Sequence, residues 1–356
     1  VEVDEESNVL PAVAARWQIS PDGRVYTFFL RPDARWSEGT PLIARHFEYA
    51  WRRNLSPQLA SPAAALLDVL ENGRAYRLGR ATAQDVGVRA KGPHELEVRL
   101  AAPIGYLLHL LAHPIAAPVP TWMVEAKGNG WASPTCLVCN GAFKLRSWTH
   151  GQVLQLEHNR HDVLWSRGNV RELRCRIFND YRDALRAYEE GEVDMVDMVS
   201  ANAKLIDQMR REHSDELESV PVQSTTYLVF RVDRPPFDNA KVRLAFAHAI
   251  DRSRLAAAAR QVGAQPATGG FVPPGIAGHS PDLMLHHLPD QARALFTEAG
   301  CTAADFANVT WLHTHGIADP VILEVLCDSW RRTLNVEVKP QVVRWKDRSE
   351  EHTSEL

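Results

Sequence analysis

Few groupings in this sequence have the residue types and spacing for chemistry. Cys136-Leu-Val-Cys139 is the one close pair among five cysteines. A structural zinc site takes about four ligands, and no second pair of this spacing exists to complete one. A thioredoxin-type pair opens a helix after a strand, whereas this pair runs into Asn140-Gly141, a turn signal. Two small residues near a strand start, or a local disulfide in an oxidising compartment, are the readings that remain. His313-Thr-His315 and His286-His287 could bind a metal, but neither has a carboxylate or cysteine close in sequence, and surface histidines explain them too. Asp194 and Asp197 read as paired acids or as a solvated strand end. Gly73 to Gly79 encloses Arg74 without the spacing of a phosphate cradle. G-x-S-x-G, H-E-x-x-H, the Walker loop and G-x-G-x-x-G are all absent. The pattern calls for no catalytic group, no metal and no cofactor.

The elements that would position any site read as α/β. Trp17 to Arg31 is a hairpin around the Ser20-Pro-Asp-Gly23 turn, with Val25, Thr27 and Phe29 alternating with Tyr26, Phe28 and Leu30. Thr40 is placed to cap a helix with Pro41 at its first position. Ile43, Phe47, Ala50 and Trp51 then follow at helical spacing. His94 to Leu100 reads as a strand and Ile104 to Leu111 as a short helix. Phe143 to Trp148 and Val153 to Glu157 form a second hairpin. Tyr181, Leu185 and Tyr188 make a helical stripe ended by Gly191, and Asp194 to Val199 reads as a short strand. Tyr227 to Val232 is an apolar strand, after which Asp238 or Asn239 caps a helix holding Val242 and Phe246. A helix runs from Pro289 to Gly300. Val309 to His313, Pro320 to Leu334 and Val336 to Val343 make a β-α-β unit, which implies parallel strands. Trp17, Trp36 and Trp51, among ten tryptophans, fall where core packing explains them.

Size and charge narrow the class. The chain has 356 residues, enough for two or three domains with cores of their own. Its net charge of −4 offers no basic field for nucleic acid or anionic lipid. No apolar run approaches the roughly 18 residues of a membrane span. The chain opens Val-Glu-Val and not with Met. An upstream piece is therefore expected, and a missing signal peptide says nothing of compartment.

Blocks in a fixed order then narrow the family. They begin with Trp17-Gln-Ile-Ser-Pro-Asp-Gly-Arg-Val-Tyr-Thr-Phe28, Leu30 to Pro41, and Phe47-Glu-Tyr-Ala-Trp51. Leu110-Leu-Ala-His113-Pro114 follows, then Asn140-Gly-Ala-Phe-Lys-Leu-Arg-Ser-Trp148 with Leu154 to Asn159. Tyr188-Glu-Glu-Gly191-Glu-Val-Asp194, Pro235 to Ala245 with Ala249-Ile-Asp-Arg252, and Val272 to Gly278 complete them. Over roughly three hundred residues this order resembles the oligopeptide-binding, family 5, solute-binding proteins of ABC importers.

The resemblance implies an α/β, two-lobed periplasmic-binding-protein fold (type II, Venus-flytrap) with an extra small domain, truncated at both ends. It implies residues 1–122 as that small domain, 123–232 as part of lobe I and 233–347 as part of lobe III. The implied activity is non-enzymatic. An extended oligopeptide is held in the cleft by main-chain pairing and handed to the ABC permease subunits of the inner membrane. The protein is expected to be a monomer, periplasmic or lipid-anchored, with no nucleic-acid partner.

Carried over by position, His113 and Tyr227 match a cleft histidine and an aromatic on the strand leaving the hinge, with Thr225 and Thr226 beside it. Ala63 stands where oligopeptide binders have a tyrosine, and Met198 where they have a polar residue. For His113 a packed turn histidine, and for Tyr227 plain core, stand as alternatives. A same-fold binder of haem, a metal chelate or an oligosaccharide is the second reading. An amidase, which would need a nucleophile with a base in reach, is the third. The tail 348–356 resembles, residue for residue, a reading frame of a sequencing adapter. It is expected to be foreign and to pack on nothing.

Overall fold

The structure, a computed structural model, describes residues 1–4, 8–162, 168–198, 201, 203–218, 224–259, 264–267, 270–276, 278–283, 285–314 and 320–343. Val199, His315 and the tail 348–356 lie outside the described residues. The chain divides into two compact units, Val1–Asn179 and Asp180–Leu356.

In the first unit, β1 (Glu2–Val3) pairs antiparallel with β2 (Val9–Leu10). β3 (Ala14–Ile19) and β4 (Val25–Leu30) form the expected hairpin. In its turn the Asp22 carboxylate accepts the Arg24 N–H at 3.1 Å, and Gly23 takes φ +68°, which glycine adopts at little cost. Tyr26, Phe28 and Leu30 are the buried set of β4. β5 (Val88–Gly92) and β6 (Glu95–Arg99) complete an antiparallel sheet in the order β3-β4-β6-β5.

Against this sheet lies α1 (Ala44–Leu55), with Ala50, Trp51 and Leu55 buried in the core. The helix starts at Ala44 and not at Pro41. Thr40 and Pro41 belong instead to a tight return of the chain. Trp36 N–H donates to the Thr40 carbonyl at 2.8 Å, and Leu42 N–H to that of Ala34 at 2.9 Å. That pairing holds residues 40–42 extended, so helical dihedrals begin only past Ile43.

Three short helices, α2 (Gly73–Arg77), α3 (Leu107–Leu111) and α4 (Thr121–Lys127), follow in this unit. The second hairpin is also present, as β7 (Phe143–Thr149) and β8 (Val153–His158), and β9 (Glu172–Arg176) extends it to a three-stranded sheet. Register puts Phe143, Leu145, Trp148, Leu154, Leu156 and Leu173 on one face. None of these side chains is buried.

In the second unit, α5 (Tyr181–Glu189) starts at Asp180, whose carboxylate accepts the Arg182 N–H at 2.8 Å. It ends as expected near Gly191, at φ +72°. α6 (Ala203–Glu212) contributes Leu205 and Met209 to a small core with Leu185. The strand expected over 194–199 does not form: residues 195–198 have no regular structure. α7 (Ala240–His248) is capped by Asn239, whose side-chain oxygen accepts the Lys241 N–H at 2.9 Å. α8 (Arg252–Ala258) is capped by Asp251, and α9 (Pro289–Glu298) has proline in its first turn.

β10 (Thr310–Thr314), α10 (Pro320–Leu334) and β11 (Lys339–Val343) form the expected β-α-β unit with parallel strands. Phe246, Phe306 and Trp330 pack at its heart, and the Trp330 indole N–H donates to the Phe246 carbonyl at 3.1 Å. Among the described residues no helix is long and apolar enough to cross a membrane.

Candidate functional site

His113 precedes a proline, and that keeps it extended, at φ −71° and ψ 142°. Its ring folds back over the 3-10 turn Pro114–Ala116, where Nδ1 accepts the Ile115 N–H at 3.1 Å. With Nδ1 an acceptor, the neutral ring carries its proton on Nε2. The histidine is therefore a turn cap, and it is also exposed on the wall of a cavity of about 250 Å³.

That cavity belongs wholly to the first unit. Phe28, Leu30, Phe47, Trp51 and Leu96 form its floor, from β4, α1 and β6. Asn140, Gly141 and Asp162 close one side, and Asp162 is itself buried. Asn159, fully buried, ties that side together. Its amide donates to the Gly141 carbonyl at 2.8 Å, its oxygen accepts the His161 N–H at 3.1 Å, and its own N–H reaches Ala142 O at 2.8 Å. Asp162 was not picked out from sequence, and Asn159 entered only as the last residue of a matching block. A short polar side chain turned inward leaves no periodic signal.

In the second unit, the segment 224–231 has no ladder among the described residues, so the strand expected at Tyr227 is not one. It still alternates. Leu228 and Phe230 pack on the core of α7 and α10, while Tyr227 and Val229 stand exposed at 58% and 60%. Tyr227 is therefore not core. Its ring meets Phe271 edge-on, with centroids 4.9 Å apart, and Phe271 is 65% exposed. The Thr225 hydroxyl donates to the Phe271 carbonyl at 2.9 Å, which holds the aromatic pair to one backbone, and Thr226 is exposed beside it. Phe271 was missed from sequence. Its only signal is an aromatic just ahead of Val272-Pro-Pro.

The remaining candidates pack differently. Ala63 is partly buried against the first unit's core, just before the turn Ala64–Val69. Met198 is partly buried against Leu185, Ala201 and Leu205. Cys136 and Cys139 are both free thiols. Hydroxyls of Ser133 and Thr135 hold the Cys136 thiol below its ordinary pKa, whereas burial raises that of Cys139. Cys139 pairs its backbone with Ser37, accepting the Ser37 N–H at 2.7 Å, and so clips its loop to the 34–42 return. Asp194 and Asp197 are exposed, as are His286 and His287. No group of three or more metal-ligating side chains occurs among the described residues.

The model of the bacterial extracellular solute-binding proteins, family 5 Middle, matches residues 8–355. This chain belongs to that family. Family 5 relatives resemble it nearly end to end. The periplasmic oligopeptide-binding protein OppA of Escherichia coli (strain K12) is 30% identical over 361 residues, covering 96% of this chain and 64% of OppA. The probable deoxycholate-binding periplasmic protein YgiS of the same organism is 28% identical, covering 97% of this chain and 65% of its own length. Among solved structures, the Escherichia coli murein tripeptide binding protein MppA superposes with a TM-score of 0.83 at 28% identity, over 99% of this chain and 70% of MppA. The chain thus spans just under two thirds of the length of these curated family 5 proteins. The α/β periplasmic-binding fold of type II, expected from the sequence, is the fold of its family 5 neighbours.

Proposed function

We propose that the protein containing this chain is the substrate-binding component of an ABC importer, capturing short peptides outside the cytoplasmic membrane. The observation that carries this reading is the similarity to OppA over 96% of the chain. The segment 224–231, which has no ladder among the described residues and turns Tyr227 and Val229 outward beside Phe271, supports it physically, because alternating outward side chains are what strand-like pairing with a peptide calls for. Tyr227, Thr225, Thr226 and His113 are the residues we assign to ligand contact. Ala63 and Met198, each partly buried against its own unit's core, are the two further positions that the resemblance offers for ligand contact.

In this reading residues 1–122 form the small extra domain, 123–232 belong to lobe I and 233–347 to lobe III. The protein works as a periplasmic or lipid-anchored monomer that delivers its load to the permease subunits. It performs no chemistry on the peptide. The Cys136 thiol is held below its ordinary pKa chiefly by the hydroxyls of Ser133 and Thr135, with a smaller contribution from the Lys127 charge.

Calorimetric titration of the full-length protein with tri- to pentapeptides is the test. Micromolar or tighter binding to peptides supports the reading. Silence across the library, with heat from a bile acid, haem or an oligosaccharide, overturns it in favour of another solute. The name of YgiS makes a bile acid the comparison of first interest.

A further inference from the structure

Capture of a peptide gives no role to the pair Cys136-Leu-Val-Cys139. Both are free, half-buried thiols at the two ends of one short segment. Cys175, Cys301 and Cys327 each stand far along the chain from any other cysteine. The two ends of the segment are held differently. The Cys139 N–H donates to the Ser37 hydroxyl at 3.3 Å, its carbonyl accepts the Ser37 N–H at 2.7 Å, and its thiol donates to the Phe143 carbonyl at 3.4 Å. Val138 beside it packs on Ala34, Trp36 and Leu42. Cys136 ends a turn in which the Ser133 carbonyl accepts both its N–H and that of Leu137, each at 2.9 Å. Its sulfur stands 3.7 Å from the Thr135 hydroxyl, and Leu137, next along, is exposed.

We propose that Cys136 and Cys139 form a thiol–disulfide exchange site, in which Cys136 attacks an external disulfide and Cys139 resolves the product to an internal one. In the first step Cys136 gives its proton to water, and the thiolate attacks one sulfur of the external disulfide. A bond from Cys136 Sγ to that sulfur forms, the external S–S bond breaks, and one thiolate leaves. In the second, the Cys139 thiolate attacks Cys136 Sγ, the internal disulfide forms, and the other external thiolate leaves. Two protein thiols are oxidised by two electrons, and the external disulfide is reduced to two thiols. Four residues that close into a β-turn bring their end Cα atoms within about 7 Å, and a disulfide needs no closer approach. The order of attack follows from the surroundings. Hydroxyls of Ser133 and Thr135, with the Lys127 charge, favour the Cys136 thiolate, whereas burial disfavours that of Cys139. An accessible, readily ionised thiol beside a resolving cysteine is the arrangement of a redox-responsive pair. Closure draws the Cys139 sulfur off the Phe143 carbonyl at the head of β7, so the loop's hold on that strand changes with redox state.

The experiment exposes the reduced full-length protein to glutathione disulfide, followed by acid quenching, alkylation and peptide mass spectrometry. In the wild type both thiols should be lost together, leaving a peptide lighter by two hydrogens that carries no glutathione, and dithiothreitol should restore both. Cys139→Ser should retain glutathione on Cys136. Cys136→Ser should leave Cys139 reduced, its reaction slower than that of wild-type Cys136 by about tenfold or more. Thermal melting checks that both variants are folded, and the wild-type result depends on neither. Glutathione retained on wild-type Cys136, survival of both thiols, or Cys139 reacting in Cys136→Ser as fast as wild-type Cys136 would each overturn the exchange site. The peptide-binding reading stands apart from all of these outcomes.

Discussion

The indole N–H of Trp36 donates to Nδ1 of His46 at 3.1 Å, and both residues are buried. The same nitrogen accepts the Ile43 N–H at 3.2 Å, and Trp122 stands edge-on to Trp36 with centroids 5.7 Å apart. One imidazole thus joins the 34–42 return, the start of α1 and α4. It does so only as the neutral ring, because a protonated Nδ1 cannot accept.

Stability should accordingly fall in mild acid. Burial lowers the His46 pKa from 6.5 to about 4. Below pH 6.5 the unfolded chain takes up a proton that the folded chain refuses. Stability is therefore fully present above pH 6.5, declines as the pH drops towards 4, and levels off below that. The loss is on the order of 3 kcal/mol for the isolated group. Urea denaturation of the wild type and of His46→Gln between pH 4 and 7 checks it. The variant should start less stable but show a flatter profile, and parallel profiles would rule His46 out as the cause.

The free edge of β5 is covered by two side chains of α1. Glu48 accepts the Ala90 N–H at 3.2 Å, Arg52 donates to the Val88 carbonyl at 3.0 Å, and the two side chains pair at 2.7 Å. Glu48→Ala should cost about 1 to 3 kcal/mol by leaving that amide without its acceptor, and should open the edge to pairing with another chain. Thermal melting gives the first effect, and light scattering at rising concentration the second. A variant as stable and as monodisperse as the wild type would show the edge needs no cover.

Two leucines of the first unit should respond differently to truncation. Leu96 is buried in the main sheet's core, whereas Leu156 lies on the unburied apolar face of β7-β8-β9. Leu96→Ala should destabilise the chain by about 2 to 5 kcal/mol and Leu156→Ala by about 1 kcal/mol or less. Chemical denaturation of residues 1–356 measures both. Equal losses would mean that the second sheet is as well packed as the first.

Ligand contact predicts a further separation. Tyr227→Ala, at a residue 58% exposed, should leave the melting temperature nearly unchanged and weaken peptide binding by about 1 to 2 kcal/mol. His113→Ala should lower both, since it also loses the cap on Ile115. Calorimetry alongside melting curves decides it, and full affinity in both variants would remove both residues from the ligand site.

What the sequence settled by itself was local. The β3–β4 turn, a helix cap at Asp238 or Asn239, the stop at Gly191 and the whole span of α10 depend on contacts within a few residues, so spacing and residue type suffice to read them. The ordered blocks went further and marked the family, because they sample most of the chain at once. Tertiary structure decided the rest. Thr40 and Pro41 carry helix-start chemistry, yet pairing of Leu42 with Ala34 and of Thr40 with Trp36 keeps them extended. Tyr227 to Val232 has a strand's alternation, but a strand also needs a hydrogen-bonded neighbour, and alternation cannot supply one. The cavity by His113 draws its walls from β4, α1, β6 and the residues around Asn140 and Asp162. Side chains so far apart in the chain share no period, and only the fold brings them to one surface.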